Sequence, residues 1–209
     1  MKISNPVPAR ARLISQHERL RAVNETPPPP VSVPGPPPAA SSVTLGFLAV
    51  AHESSGVLGG YLVTNAWGRP LEFRLTTAVQ PNKVQQILYG PTLAEYIHAD
   101  LIGKTLVEKT ATQPTLIVTD NPAVLDLRSR VNIPVVSLVA APDPQGAIEI
   151  KHPRASVPLY FSSAFPDDRS AIEARLDKID PAVDLTEPFS RIKEAIAEAR
   201  KMGVTSRAA

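Results

Sequence analysis

The chain contains no cysteine, which removes disulfide frameworks, thiolate zinc sites and thiol nucleophiles together. Aromatic residues are scarce at 5%, with a single tryptophan, and charged residues make up 20%. No apolar run approaches the ~20 residues that a membrane-spanning helix needs. The opening stretch MKISNPVPARARLISQ is broken at Pro6, Pro8 and Arg10, so it lacks the apolar segment of a secretory signal. A phosphate-cradling glycine loop of the Walker or dinucleotide type is also missing. The expectation from these absences is a soluble, cytoplasmic protein with no membrane partner.

What is present is enough for a core. The chain has 209 residues, 43% of them hydrophobic, which fits one domain with ornaments or two small domains. The net charge of +2 is unevenly spread. Residues 1–43 hold five Lys/Arg against two acids, residues 44–141 hold seven of each, and residues 142–209 hold ten against eleven. The basic excess therefore belongs to the tail, and a globally basic nucleic-acid surface is not indicated.

Residues 1–43 read as a disordered, basic, proline-rich tail. Ten of the 23 prolines lie here, with PPPP at 27–30 and PGPPP at 34–38; such runs adopt extended polyproline II and act as semi-rigid spacers. Ahead of them, ARARLISQHERLRAV predicts a short basic helix with Leu13, Ile14 and Leu20 on one side. A helix of that length is marginal alone and would fold only against a partner. The tail is thus expected either to bind a partner through those residues or to stay unstructured.

From Val43 the text changes to that of a packed domain. Leu45–Ala51 reads as an apolar strand, SSG at 54–56 with Gly59-Gly60 as its turn, and Tyr61–Thr64 as a second strand. After breakers at Gly68 and Pro70, Leu71, Phe73 and Leu75 alternate with Glu72, Arg74 and Thr76 as in a strand with one buried face. Helices are predicted over about 82–89 and 92–109, separated at Gly90-Pro91. On the second, Asp100, Lys104 and Glu108 form a solvated ladder, and Glu95, His98, Ile102 and Leu106 mark the buried side. TLIVT at 115–119 reads as a strand covered on both faces, followed by Asp120-Asn121-Pro122, a helix-start signature. A short helix then leads to the strand 135–139. A small hairpin or edge pair is expected over 148–151 and 157–161, and two amphipathic helices over about 167–179 and 187–201. The expected division is a tail (1–43), an α/β core (44–141) and a C-terminal extension with two helices (142–209).

The order of three antiparallel strands, helix, strand, helix, strand is similar to the ribonuclease H-like fold. GGYLVTNAWGRPLEF looks like the second and third strands of that superfamily, and TLIVTDNPAVLDL like its fourth strand, which ends in an Asp. The resemblance covers about residues 44–140. It implies an α/β fold with a mixed sheet, and a carboxylate cluster that holds two divalent metals, Mg or Mn, for phosphodiester cleavage. Asp120 matches the acid that closes the fourth strand. The first strand of the family carries an Asp near its middle, where LGFLAVA has none and Glu53 lies beyond; the first helix carries a Glu, where NKVQQIL has Gln85 and Gln86.

The candidate residues come from these readings. For a nuclease they are Asp120, Glu53 and Glu95. For binding they are Trp67 with Arg69, able to stack on a base or a partner surface, and His98, one helical turn from Glu95. His52 with Ser54 and Ser55 offers a Ser/His/acid grouping without the Gly-x-Ser-x-Gly elbow. The leading expectation is a non-catalytic binding or assembly subunit without a cofactor, tethered by its tail to a protein partner or a second copy. The alternative is a divalent-metal-dependent nuclease acting on DNA or RNA.

Overall fold

The computed structural model describes residues 43–203. Its frame is a seven-stranded mixed sheet in the order β3-β2-β1-β4-β5-β7-β6. The strands are β1 (Thr44–Glu53), β2 (Gly56–Asn65), β3 (Pro70–Leu75), β4 (Leu116–Thr119), β5 (Val135–Ser137), β6 (Ala147–Ile150) and β7 (Leu159–Ser162). The first three form an antiparallel meander, while β4 and β5 run parallel to β1. That order and those senses are the ribonuclease H-like arrangement expected from the sequence. The residues at 147–162 do form a hairpin, and it extends the sheet beyond β5 through β7.

Alternation along the strands feeds two apolar cores. Leu45, Phe47 and Ala49 of β1 face a core with Ile172 and Leu176 of α4 (Asp168–Leu176) and Phe189, Ile192 and Ile196 of α5 (Glu187–Lys201). The last helix buries its i, i+3 and i+7 positions, as its pattern predicts, and Phe47 meets Phe189 edge-on with centroids 5.8 Å apart. On the other face, Leu48 packs with Ile97, Ile102 and Leu106. These belong to a helical run, here α2, that succeeds the short α1 (Lys83–Tyr89) at once. The run comprises a 3₁₀ turn (Gly90–Thr92), an α turn (Leu93–Glu95), a π stretch (Tyr96–Lys104) and a closing α segment (Thr105–Lys109). Gly90 breaks α1 with φ of 51°, and Pro91 is accommodated at the first turn of α2.

Two expectations are corrected here. Gly59-Gly60 does not mark the first turn, which is made by Ser54 and Ser55; both glycines lie inside β2. Adjacent strand residues face opposite sides, and each glycine lets one helix touch the sheet. A Cβ on Gly59 would stand 2.1 Å from Cγ2 of Ile102, and one on Gly60 would stand 2.5 Å from Cγ2 of Ile192. The solvated ladder on α2 is also only half formed. Lys104 pairs with Glu108 at 3.8 Å, whereas Asp100 accepts from Arg130 at 2.6 Å, because Arg130 emerges beside α2 from the 3₁₀ helix α3 (Pro122–Ser129).

The glycine contacts carry a prediction. Ile102 is fully buried, so Gly59→Ala should overpack the interface and lower stability by about 1–3 kcal/mol. Gly146→Ala, whose added Cβ would meet nothing closer than 3.6 Å, should change stability little. Urea unfolding of both variants checks this; an unchanged midpoint for Gly59→Ala would count against the close-approach account.

Candidate functional site at the ends of β1 and β4

Parallel pairing brings Leu48 of β1 level with Thr119 of β4. The Thr119 hydroxyl donates to the Leu48 carbonyl at 2.8 Å and accepts from the Asn121 N–H at 3.1 Å. This fixes the chain as it leaves the sheet. Asn121, not Asp120, caps α3: its Oδ1 accepts from the Ala123 N–H at 3.1 Å. Asp120 is therefore free for another partner, and its Oδ2 lies 2.9 Å from Nζ of Lys193 on α5. Glu53, at the end of β1 and on the same face of the sheet, is paired with Arg200 of α5. Lys193 and Arg200 are seven residues apart, about 10 Å along the helix axis, so α5 holds the two acids at separate stations.

The opposite face of this edge carries two histidines. His52 is exposed on β1, whereas His98 is buried in the π stretch, and their rings meet edge-on with centroids 5.3 Å apart. Burial and, secondarily, the charge of His52 push the His98 imidazole down to about 4, against an upward pull from its hydrogen bond with Asn121. Its Nδ1 has no protein partner. His98 thus sits neutral beneath the surface.

Glu95 is elsewhere. One carboxylate oxygen is buried without a partner, and the residue lines a cavity of about 470 Å³ with Pro122, Asp126 and Asp143. The structure therefore brings Asp120 and Glu53 to one side of the sheet's edge and leaves Glu95 apart from them. Among the described residues, no group of three His, Asp or Glu side chains could hold a metal ion. At the level of Thr119, β1 contributes Leu48, fully buried in the apolar core.

Trp67 and Arg69 stand at the far end of the sheet, on the β2–β3 turn. Asn65 Oδ1 accepts from both of their N–H groups at 3.0 Å, and Gly68 supplies φ of 72°. Trp67 is 70% exposed, on a tip held from the side by Arg191 donating to the Gly68 carbonyl at 3.3 Å. Leu13, Ile14 and Leu20 lie outside the described residues. Sequence reasoning does not single out Lys193 and Arg200. Both sit on the polar face of α5, and nothing local marks a cation whose partner is more than 70 residues away.

No family model matches the chain, and no curated protein matches its sequence. Among solved structures it is similar to endonuclease V from Bacillus subtilis, at 11% identity over 79% of this chain and 83% of that one, with a TM-score of 0.49. It is also similar to endonuclease V of Ciona intestinalis in complex with an inosine-containing DNA (9% identity, 59% and 71% covered, TM-score 0.35). A third likeness is to Marinitoga piezophila Argonaute with guide RNA (8% identity, 57% and 22% covered, TM-score 0.26).

The buried imidazole makes stability pH-dependent. With a folded pKa of about 4 against 6.5, His98 stays neutral while the unfolded chain takes up a proton. Its contribution is complete above pH 6.5 and is lost as the pH falls from there through 4, about 3 kcal/mol in all. Urea unfolding at pH 7 and pH 4.5 should show a steeper loss for the natural chain than for His98→Gln. Equal losses would exclude a neutral, buried His98.

Proposed function

We propose that the chain is a binding or assembly subunit on a ribonuclease H-like core that lacks the metal-dependent cleavage chemistry of that fold. One observation carries this reading. Beside the end of β4, β1 contributes the buried Leu48 in place of an acid, so Asp120 and Glu53, each ion-paired with α5, gain no third carboxylate there. A pair of divalent ions needs several carboxylates converging on hard-oxygen sites a few ångströms apart. The residues at this edge supply an ion-paired Asp, an ion-paired Glu and a neutral imidazole. The N-terminal tail, with Leu13, Ile14 and Leu20, is the segment we assign to partner capture, and Trp67 with Arg69 is a second, rigidly held contact point.

The rival reading is a Mg- or Mn-dependent nuclease acting on DNA or RNA. Its support is the place of Asp120, which comes directly after the last residue of β4, beside β1. The Lys193 pair is no obstacle in itself, since the lysine is 58% exposed and such pairs contribute less than about 1 kcal/mol.

The two are separated by incubating the purified chain with single- and double-stranded DNA and RNA in Mg²⁺ or Mn²⁺. We expect no cleavage of any form. Cleavage that disappears in Asp120→Asn would establish the nuclease and overturn the proposal. Removing residues 1–43 should abolish co-purification of a protein partner; retention of the same partner would refute the tail assignment.

A further inference from the structure

β3 lies at one end of the sheet and, among the described residues, pairs only with β2. Sheet edges in soluble proteins are ordinarily shielded by charge, proline, short length or a covering element. The other edge obeys that rule: β6 has four residues, Lys151 comes next, and that lysine pairs with Glu149 at 3.4 Å. By contrast β3 presents Leu71 and Phe73, 47% and 41% exposed, on the same face as Leu62, with which Phe73 is in register. They continue the apolar surface of the first core past the point where α5 covers it.

The hydrogen-bond parity of β3 is fixed by its inner partner. The Thr76 N–H donates to the Gly59 carbonyl at 2.9 Å. In an antiparallel ladder, bonded and non-bonded pairs alternate, so Arg74 and Glu72 turn their main-chain groups toward β2. Phe73 and Leu75 turn theirs outward, while Leu71 falls in a register shift, Glu72 pairing with Val63 and Pro70 with Thr64. Among the described residues none of Leu71, Phe73 and Leu75 makes a backbone bond outside the sheet.

We propose that β3 pairs antiparallel with β3 of a second copy about a two-fold axis through Phe73, joining the two sheets into one. An isologous contact requires a self-complementary patch, and this register supplies one across Glu72, Phe73 and Arg74, inside the register shift at Leu71. Phe73 faces its symmetry mate with its main-chain groups turned outward, so the central bonds form where donors and acceptors are available, and the apolar Leu71 and Leu75 flank them. The intervening non-bonded positions set Glu72 opposite Arg74 twice, opposite charges at the closest cross-strand spacing. Glu72 is held in place by the Ala111 and Thr112 N–H groups at 3.0 and 2.9 Å, so Arg74, 2.7 Å from it and 40% exposed, is the side chain that turns to the second copy. A one-residue slip would set Phe73 against Glu72 or Arg74 and lose both complementarities. The contact is small, so the dimer is concentration-dependent. It is independent of whether the chain cleaves nucleic acid.

The test uses the full chain. Light scattering during size-exclusion chromatography, from low to high micromolar protein, should show mass rising toward the dimer. Phe73→Lys sets two ammonium groups face to face and should weaken association roughly tenfold. The absence of natural cysteine allows a second measurement that does not depend on that variant folding well. Cα atoms of a bonded antiparallel pair are about 5.5 Å apart, within disulfide range, so Phe73→Cys should crosslink readily under mild oxidation. Val84→Cys, exposed on α1, should not. A monomer at all concentrations would overturn the proposal, as would an unchanged dimer in Phe73→Lys or equal crosslinking at both cysteine positions.

Discussion

Two neighbouring glycines in β2 set the spacing on which the rest of the molecule depends. Gly59 and Gly60 face opposite sides of the sheet, and each receives an isoleucine, Ile102 from α2 and Ile192 from α5, at a distance no Cβ would tolerate. Both helices consequently rest against the strand backbone. The contacts also fix the heights of the functional side chains. His98 lies one turn before Ile102 and so reaches the end of β1 beside His52. Lys193 adjoins Ile192 and so reaches the end of β4 at Asp120. A shift of either helix would move a core and a polar contact together, because close-packed interiors pass displacement on instead of absorbing it.

Much of this is legible locally. The apolar run of TLIVT and the i, i+3, i+7 pattern of Phe189, Ile192 and Ile196 each report the burial of one element, and both are found. Alternation in Leu71–Leu75 gives the strand but not its burial, because β3 lies at the end of the sheet and leaves Leu71 and Phe73 exposed. The glycine pair misleads for an instructive reason. Glycine signals a turn when its backbone is the cause, but here φ at neither residue is positive and the cause is a helix arriving from more than 40 residues away. The π stretch around His98 is equally hidden. It accommodates Gly103, whose Cα side approaches the His98 carbonyl, Leu127 and Leu48, a set of contacts assembled from three separate segments.

The candidate site divides along the same line. Topology alone predicts that the ends of β1 and β4 adjoin, and it puts Asp120 there. The partner of Asp120 is not legible, because DNP offers two capping residues and only the structure shows Asn121 taking the role. Once Asn121 caps, Asp120 has no local obligation and pairs across the sheet. A motif in sequence suggests one role, whereas the fold distributes its two polar side chains to opposite faces of the same edge.

The difference between the shape of this edge and its chemistry is not one substitution deep. Asp120 and Glu53 are held by exposed ion pairs worth less than about 1 kcal/mol each, so their charges are available at low cost. Leu48 is the harder obstacle. It contacts the second core with no exposure at all, and its carbonyl is already engaged by Thr119 at 2.8 Å. A carboxylate there would be an unpaired charge in apolar surroundings, which is strongly unfavourable unless a cation arrives with it. His98, in the same helical run that packs on Leu48, is kept neutral by that apolar enclosure. The apolar packing that lets α2 sit close to the sheet is thus the same packing that withholds a third acid from its edge.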